Sequence, residues 1–369
     1  MERALAELVR RGCAEVDFVV VSATLAPELR RLADWRHVPV PSRPFALKFL
    51  AFFLLAAARL PRRRVDLVHT MGAIIPRSVD VASVQFCHAA FRGAEGALAP
   101  REAPVLRRIN TSLVRLLSLV AERRTYRPTT GRVLAAASRG VASELERHYP
   151  GVPVTVVPNG VDCDRFAPDA DVRRRVRAAE AVPENDIVAL FVGGDWDRKG
   201  LRVVIEALAI AVKRVPTLRL WVVGRGDGKR FRALAARRGV ANRVEFFGPR
   251  SDTERFYRAA DVFVFPTRYE AFPLVALEAA AAGLPLVATP VNGVEELLEG
   301  GEAGIAVERL PAAVANALVR LATRPDERAR MGDAARRRAT AFTWEDSVRR
   351  TLGLYDRLLA TARSVKEAA

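Results

Sequence analysis

Two glutamates in the pattern Glu270-x7-Glu278 straddle the start of an Ala/Leu-rich segment, and two cations, Arg198 and Lys199, follow the glycine pair Gly193-Gly194 earlier in the chain. Glycines let backbone approach an anion, and a guanidinium beside an ammonium neutralises a diphosphate as it departs. A carboxylate on a helix accepts two hydrogen bonds from a ribose diol, as in dinucleotide-binding folds. That role falls to Glu278. Glu270, nearer the loop, is placed to hold sugar hydroxyls beyond the diphosphate. The backbone from Phe272 through Pro273 to Leu274 opens the helix, and the amides at such an end attract phosphate. This is the layout of a nucleotide-sugar site.

The elements that must carry these residues are legible as strand–loop–helix units. Asp261-Val-Phe-Val-Phe265 is a β-branched and aromatic run bounded by Pro266, which predicts a buried strand. Pro273 suits a first helical turn, and Gly283 with Pro285 marks its stop. Ile187–Val192 predicts the strand that empties into Gly193–Gly200, and a helix follows to about Arg214. A loop just past the carboxyl end of a parallel strand faces the ligand crevice of an open α/β sheet. Leu218–Val223 and Val244–Phe247 predict two more strands. The second leads into Gly248-Pro-Arg250-Ser-Asp252, a loop suited to a base pocket with Arg250 beside it.

The first half alternates in the same way. A helix is expected over Met1–Gly12, a buried strand over Asp17–Ser22, a helix over Leu25–Leu32 and a short strand over Val38–Val40. Strands over Val65–Thr70 and Val81–Phe86 end at His69 and lead to His88, which puts both imidazoles at candidate crevice positions. Pro44–Arg64 breaks the rhythm with Phe45, Phe49, Phe52, Phe53 and Leu54 ahead of Arg62-Arg63-Arg64. Such a helix suits the face of an anionic membrane. A long helix from about Ala103 to Tyr126, a strand over Val133–Ala137, a helix through Tyr149 and a strand over Val154–Val157 complete this half. The Asn159-Gly160 turn between prolines marks a connection.

At 369 residues with half of them hydrophobic, the chain exceeds the size of one core and is too apolar for disorder. The expected division is 1–168, 169–345, and a last helix over 346–369 that packs back towards the first domain. The formal charge is +17, and residues 1–165 hold 25 Lys and Arg against 15 Asp and Glu. An anionic partner follows, but no zinc-finger spacing or RNA-binding signature accompanies the charge, so nucleic acid is not expected. Cys13, Cys87 and Cys163 form no Cys-x-x-Cys pair and fit reduced thiols in a cytoplasmic protein.

Asn159-Gly-Val-Asp162 with Phe166, the Gly193–Gly200 loop, Gly248, Ala260-Asp-Val-Phe-Val-Phe-Pro266, Glu270-x7-Glu278 and Ala282-Gly-Leu-Pro285 together resemble the family-4 retaining glycosyltransferases. The segments around His88, Glu122–Arg127 and Glu144–Pro158 resemble the bacterial members that extend the lipopolysaccharide core. The resemblance implies an α/β protein of the GT-B fold, with two Rossmann-like domains and a cleft between them. It assigns Glu278 to the ribose, Glu270 to the sugar, Arg198 and Lys199 to the diphosphate, Phe272–Leu274 to phosphates and sugar, and His88 to the donor sugar. Relatives begin with a strand and a Gly-Gly loop ahead of the helix that here starts at Met1, so the first strand of the N-terminal domain is expected to be missing. Many also carry Arg where this chain has Gly194, which leaves the charge to Arg198 and Lys199. The Asp162-Cys-Asp164 and Asp195-Trp-Asp197 triplets belong to the connection and the phosphate loop, so no metal or other cofactor is expected. The implied activity is hexosyl transfer from a nucleoside diphosphate sugar to a glycan or glycolipid at the inner face of the cytoplasmic membrane. An inactive membrane-associated scaffold and a nucleotide-sugar epimerase are the alternatives.

Overall fold

The computed structural model describes residues 2–60, 65–94, 105–129 and 131–367. The backbone divides into two compact units, one of residues 1–159 with 344–369 and one of residues 160–343.

The first unit runs α1 (Glu2–Gly12), β1 (Phe18–Ser22), a 3-10 turn (Pro27–Arg31), β2 (Ala33–His37), α2 (Phe45–Arg59), β3 (His69–Thr70), β4 (Val81–Val84), α3 (His88–Ala94), α4 (Val105–Thr125), β5 (Val133–Ala136), α5 (Arg139–His148) and β6 (Val154–Val156). β1 and β2 form a parallel pair, and β3-β4-β5-β6 form a parallel sheet in that order. Several expectations need correction here. The helix expected over Leu25–Leu32 is a 3-10 turn, because Pro27 enters at its start and only Leu29 is buried. The strand expected over Val38–Val40 lies earlier, at Ala33–His37. Its Asp34 and Arg36 hide it from a search for apolar runs, but it pairs residue for residue with β1. β1 is only half-buried, with Val20 as its one buried residue. β3 is shorter than the Val65–Thr70 run. The Arg62–Arg64 cluster lies outside the described residues.

The second unit runs α6 (Ala170–Ala179), β7 (Ile187–Val192), α7 (Trp196–Lys199), α8 (Leu201–Ala211), β8 (Leu218–Val223), α9 (Gly228–Arg237), β9 (Val244–Gly248), α10 (Glu254–Ala259), β10 (Val262–Phe265), α11 (Leu274–Ala281), β11 (Leu286–Ala288), α12 (Val294–Leu298), β12 (Gly304–Ala306), α13 (Pro311–Thr323) and α14 (Pro325–Ala339). Its sheet is parallel throughout, in the order β12-β11-β10-β7-β8-β9. Helices cover both faces of such a sheet, so its strands read as unbroken apolar runs. Phe191, Leu220, Val222, Val264 and Val287 from the strands pack with Val204 and Leu208 of α8 and Val314 and Leu318 of α13. Asp261, at the mouth of β10, takes ion pairs from Arg173 (2.6 Å) and Arg177 (3.1 Å) of α6 and a hydrogen bond from the Val188 amide (2.8 Å). A buried carboxylate held this way fixes helix, β7 and β10 together.

The last helix, α15 (Trp344–Glu367), returns to the first unit. Its Val348, Leu352 and Tyr355 pack with Leu8 of α1, Val81 of β4 and Ala135 of β5. Among the described residues no helix is long and apolar enough to cross a membrane.

Candidate active site

The site in the second unit is built where β7, β8 and β10 end. β7 turns at Gly193, whose φ is +139°, and a Cβ there would lie 2.8 Å from Cδ of Lys199. The lysine stem therefore runs across bare backbone. Gly224, at the end of β8 with φ +131°, lies so close that a Cβ would stand 2.1 Å from the Gly193 carbonyl oxygen. No L side chain fits either condition. The Trp196 indole donates to the same Gly193 carbonyl at 2.8 Å, which pins the loop from beneath. Arg198 and Lys199, expected in a loop, occupy the short helical turn α7, and its local geometry turns both side chains towards β10.

There they converge on Glu270. Arg198 Nη1 lies 2.7 Å and Lys199 Nζ 3.3 Å from Glu270 Oε1, and the Thr267 hydroxyl donates to the same oxygen at 3.1 Å. Lys199 is buried, and its Nζ sits 4.6 Å from the centre of the Phe265 ring. Burial lowers its affinity for a proton, against the pull of Glu270. Burial acts on Arg198 in the same sense, but Glu270 and Asp195 outweigh it and raise its pKa. The result is a compact set of two cations around one half-buried carboxylate, Glu270, with the exposed Asp195 on the outer side of Arg198. Asp195 and Asp197, the residues of one Asp-x-Asp triplet, are themselves paired with Arg198 (2.9 Å) and Arg230 (2.8 Å).

Glu278 lies just over one turn into α11 and is 6% exposed. The Tyr257 hydroxyl donates to its Oε2 at 3.0 Å, a partner from α10 that sequence spacing did not reveal. No side chain caps α11 at Pro273. Gly293 backs this helix start so closely that a Cβ would lie 2.6 Å from Cα of Phe272. Arg250 is held by Asp252 through a two-pronged pair at 2.9 and 2.8 Å. A Cβ on Gly194 would make only ordinary contact, 3.5 Å from the Arg225 carbonyl. Arg309 is a further residue that the sequence did not single out. It donates to the carbonyls of Pro266 (3.0 Å) and Asp197 (2.8 Å), joining the β10 exit to α7.

The two histidines belong to the first unit and behave differently. His69 sits inside β3, where its ring nitrogens engage the Tyr355 hydroxyl at 2.6 Å and the Ser83 hydroxyl at 2.8 Å. Both its nitrogens are thus occupied by the sheet and α15. His88 opens α3, and its Nδ1 is buried with no hydrogen-bond partner. Burial, with a smaller effect from Arg115, brings its pKa down to about 4, so the ring is neutral at pH 7.

Two α/β units with parallel sheets, the second with its polar cluster at strand carboxyl ends, define a GT-B protein. Residues 1–165 match the model described as Glycosyltransferase Family 4, and residues 186–324 match that described as Glycosyl transferases group 1. The chain belongs to the family-4 (group 1) glycosyltransferases. It is 37% identical over 237 residues to a D-inositol 3-phosphate glycosyltransferase of Streptomyces scabiei, a match covering 60% of this chain and 53% of that protein. The chain thus spans about half the length of the curated relatives it matches. Among solved structures, WaaG, a glycosyltransferase involved in lipopolysaccharide biosynthesis, superposes with a TM-score of 0.79 at 23% identity, over 95% of this chain and 94% of that one. Anabaena HepE, solved with UDP and glucose, gives 0.68 at 18% identity, over 96% and 95%. Both likenesses establish the fold.

Proposed function

We propose that this chain is a retaining glycosyltransferase that moves a hexose from a nucleoside diphosphate sugar to a glycan or glycolipid acceptor in cell-envelope polysaccharide or lipopolysaccharide synthesis. The observation that carries this reading is the meeting of Arg198, Lys199 and Glu270 at one point where β7 and β10 end. Arg198 is shared between Glu270 and the exposed Asp195 while Lys199 meets Glu270 alone, so both cations keep donors for an arriving diphosphate, and the α11 end adds backbone amides. As the glycosidic C–O bond to the diphosphate breaks, Arg198 and Lys199 stabilise the charge that develops on the leaving oxygen. The acceptor hydroxyl attacks from the same face and passes its proton to that oxygen, which keeps the anomeric configuration. Glu270 orients sugar hydroxyls, Glu278 the ribose, and His88 contributes a neutral imidazole to the transfer. Protein cations carry the leaving-group charge here, so the reaction needs no metal.

A lipid-linked acceptor fits the surface of the first unit. Phe45, Leu50, Leu54 and Leu55 of α2 are exposed, as are Leu106, Ile109 and Leu116 of the adjoining α4. Asn110 of α4 accepts a hydrogen bond from the Ala46 amide at 3.2 Å and so ties the two helices together. Exposed Arg108, Arg123 and Arg124 on α4 suit an anionic membrane.

Release of nucleoside diphosphate from a panel of UDP-, GDP- and ADP-sugars, with and without membrane extract, tests the reading. Turnover that depends on extract is expected, and Glu270→Gln should lower it on the order of a hundredfold. Undiminished turnover by Glu270→Gln would sink the assignment. Donor conversion without any acceptor would replace transfer by epimerisation or hydrolysis.

A further inference from the structure

The carboxylate of Glu122, near the end of α4, is buried to 2% exposure and reaches across to the loop that carries His88. Its Oε1 accepts the His88 amide at 2.9 Å. Its Oε2 accepts the Ala89 amide at 3.2 Å and the Tyr149 hydroxyl at 2.8 Å. Tyr149 is in turn packed edge-on against Tyr126, with ring centres 5.1 Å apart. The carboxylate therefore holds two successive N–H groups at the start of α3, from which the His88 ring, its Nδ1 without a hydrogen-bond partner, projects beside Phe86, 4.8 Å away centre to centre.

We propose that Glu122 is a positioning residue for sugar transfer, holding His88 in its working orientation through the His88 and Ala89 amides. This rests on the reading of His88 as a participant in that transfer. Three donors occupy three of the carboxylate's roughly four lone-pair positions, and the open one is on Oε1. A proton there turns the oxygen that holds the His88 amide from a charged acceptor into a weaker hydroxyl one. Burial raises the Glu122 pKa to about 7, opposed by the bonds from His88, Tyr149 and Ala89 and reinforced by nearby Glu144. Cys87, Tyr126, Tyr149 and His88 around it resist ionising near neutral pH. Cys87 is pushed up to about 12, Tyr126 and Tyr149 are raised well above their ordinary value, and His88 stays neutral. Glu122 is thus the group in this cluster whose charge changes between pH 6 and 8, and below that range the grip on His88 loosens.

The isosteric Glu122→Gln mimics the protonated state at every pH. Its kcat should fall on the order of tenfold at pH 8, with the donor KM nearly unchanged, and the acidic limb of the wild-type profile should vanish. Tyr149→Phe removes a bond that favours the charged form, so its acidic limb should move to higher pH. Stability should run the other way. The folded pKa lies above the ordinary 4.5, so the folded state binds the extra proton, and this group's contribution is full at acid pH and lost as pH rises towards 7. The wild type's stability relative to Glu122→Gln should therefore fall between pH 4.5 and about 7, below and into the range in which its activity rises.

A cycle with His88→Ala separates the ways this can fail. If Glu122 acts through His88, Glu122→Gln costs nothing further in the His88→Ala protein. Equal losses in both backgrounds would overturn the positioning role, and a fully active His88→Ala would overturn it together with the assignment of His88. Amide hydrogen exchange of the segment 86–91, corrected for intrinsic rates, checks the grip without any turnover. Faster exchange in Glu122→Gln is expected, and unchanged exchange would refute the inference even if every donor proved inert.

Discussion

The two units handle ionisable groups in opposite ways. In the second, Arg198, Lys199 and Glu270 are paired and packed against one another, with a hydroxyl and an aromatic ring closing the set. In the first, burial drives His69 and His88 to the neutral form and brings Glu122 to the edge of neutrality. Under the proposed function the contrast has a use: a diphosphate leaving group would be met by preorganised cations, and the transfer would be assisted by a neutral imidazole. The surfaces differ as well. Exposed large apolar side chains among the described residues gather on α2 and α4, while the second unit offers only scattered ones such as Ile210 and Leu310.

Lys199→Ala is the strongest way to break this comparison. Removing a cation that works on the leaving group should lower kcat on the order of 10²- to 10³-fold, with the fold intact because Glu270 keeps Arg198 and Thr267. A turnover assay at saturating donor reads it, and a loss below threefold would mean that the charge is structural. Next comes Gly224→Ala. Its Cβ meets the Gly193 carbonyl at 2.1 Å in a left-handed conformation, so thermal unfolding should show a loss of about 3 kcal/mol. The same change at Gly300, where nothing lies within 4 Å, should cost only the strain of its φ of +83°, about 1 kcal/mol. The smallest effect concerns the surface. Leu54→Asp with Leu106→Asp should weaken co-sedimentation with anionic phospholipid vesicles by about tenfold, leaving donor turnover in solution unchanged. Equal binding by this double variant would move the membrane contact elsewhere.

The second unit was the more legible in sequence because a parallel sheet buried on both faces writes its strands as apolar runs. β7, β8, β9 and β10 fall where such runs predict them, to within a residue or two. Arg198, Lys199 and Glu270 were legible as members of one site because each follows a strand's carboxyl end. Their mutual contact was not, since α7 is a four-residue turn with no periodicity to read. The first unit defeated the same method at β2, whose Asp34 and Arg36 make a half-exposed strand look like a loop. Partnerships such as Tyr257 with Glu278, or Glu122 with the His88 amide, join residues of different helices. Spacing along one element carries no trace of them.

The return of α15 to the first unit sets an order of events during synthesis. Leu8, Val81 and Ala135 find Leu352 and Tyr355 only after the ribosome has passed the whole of residues 160–343. The second unit therefore emerges complete while the unit that precedes it still lacks its closing helix. A nascent chain halted at residue 343 would hold a finished second unit tethered to an unsealed first one, with the apolar groove for α15 open to chaperones.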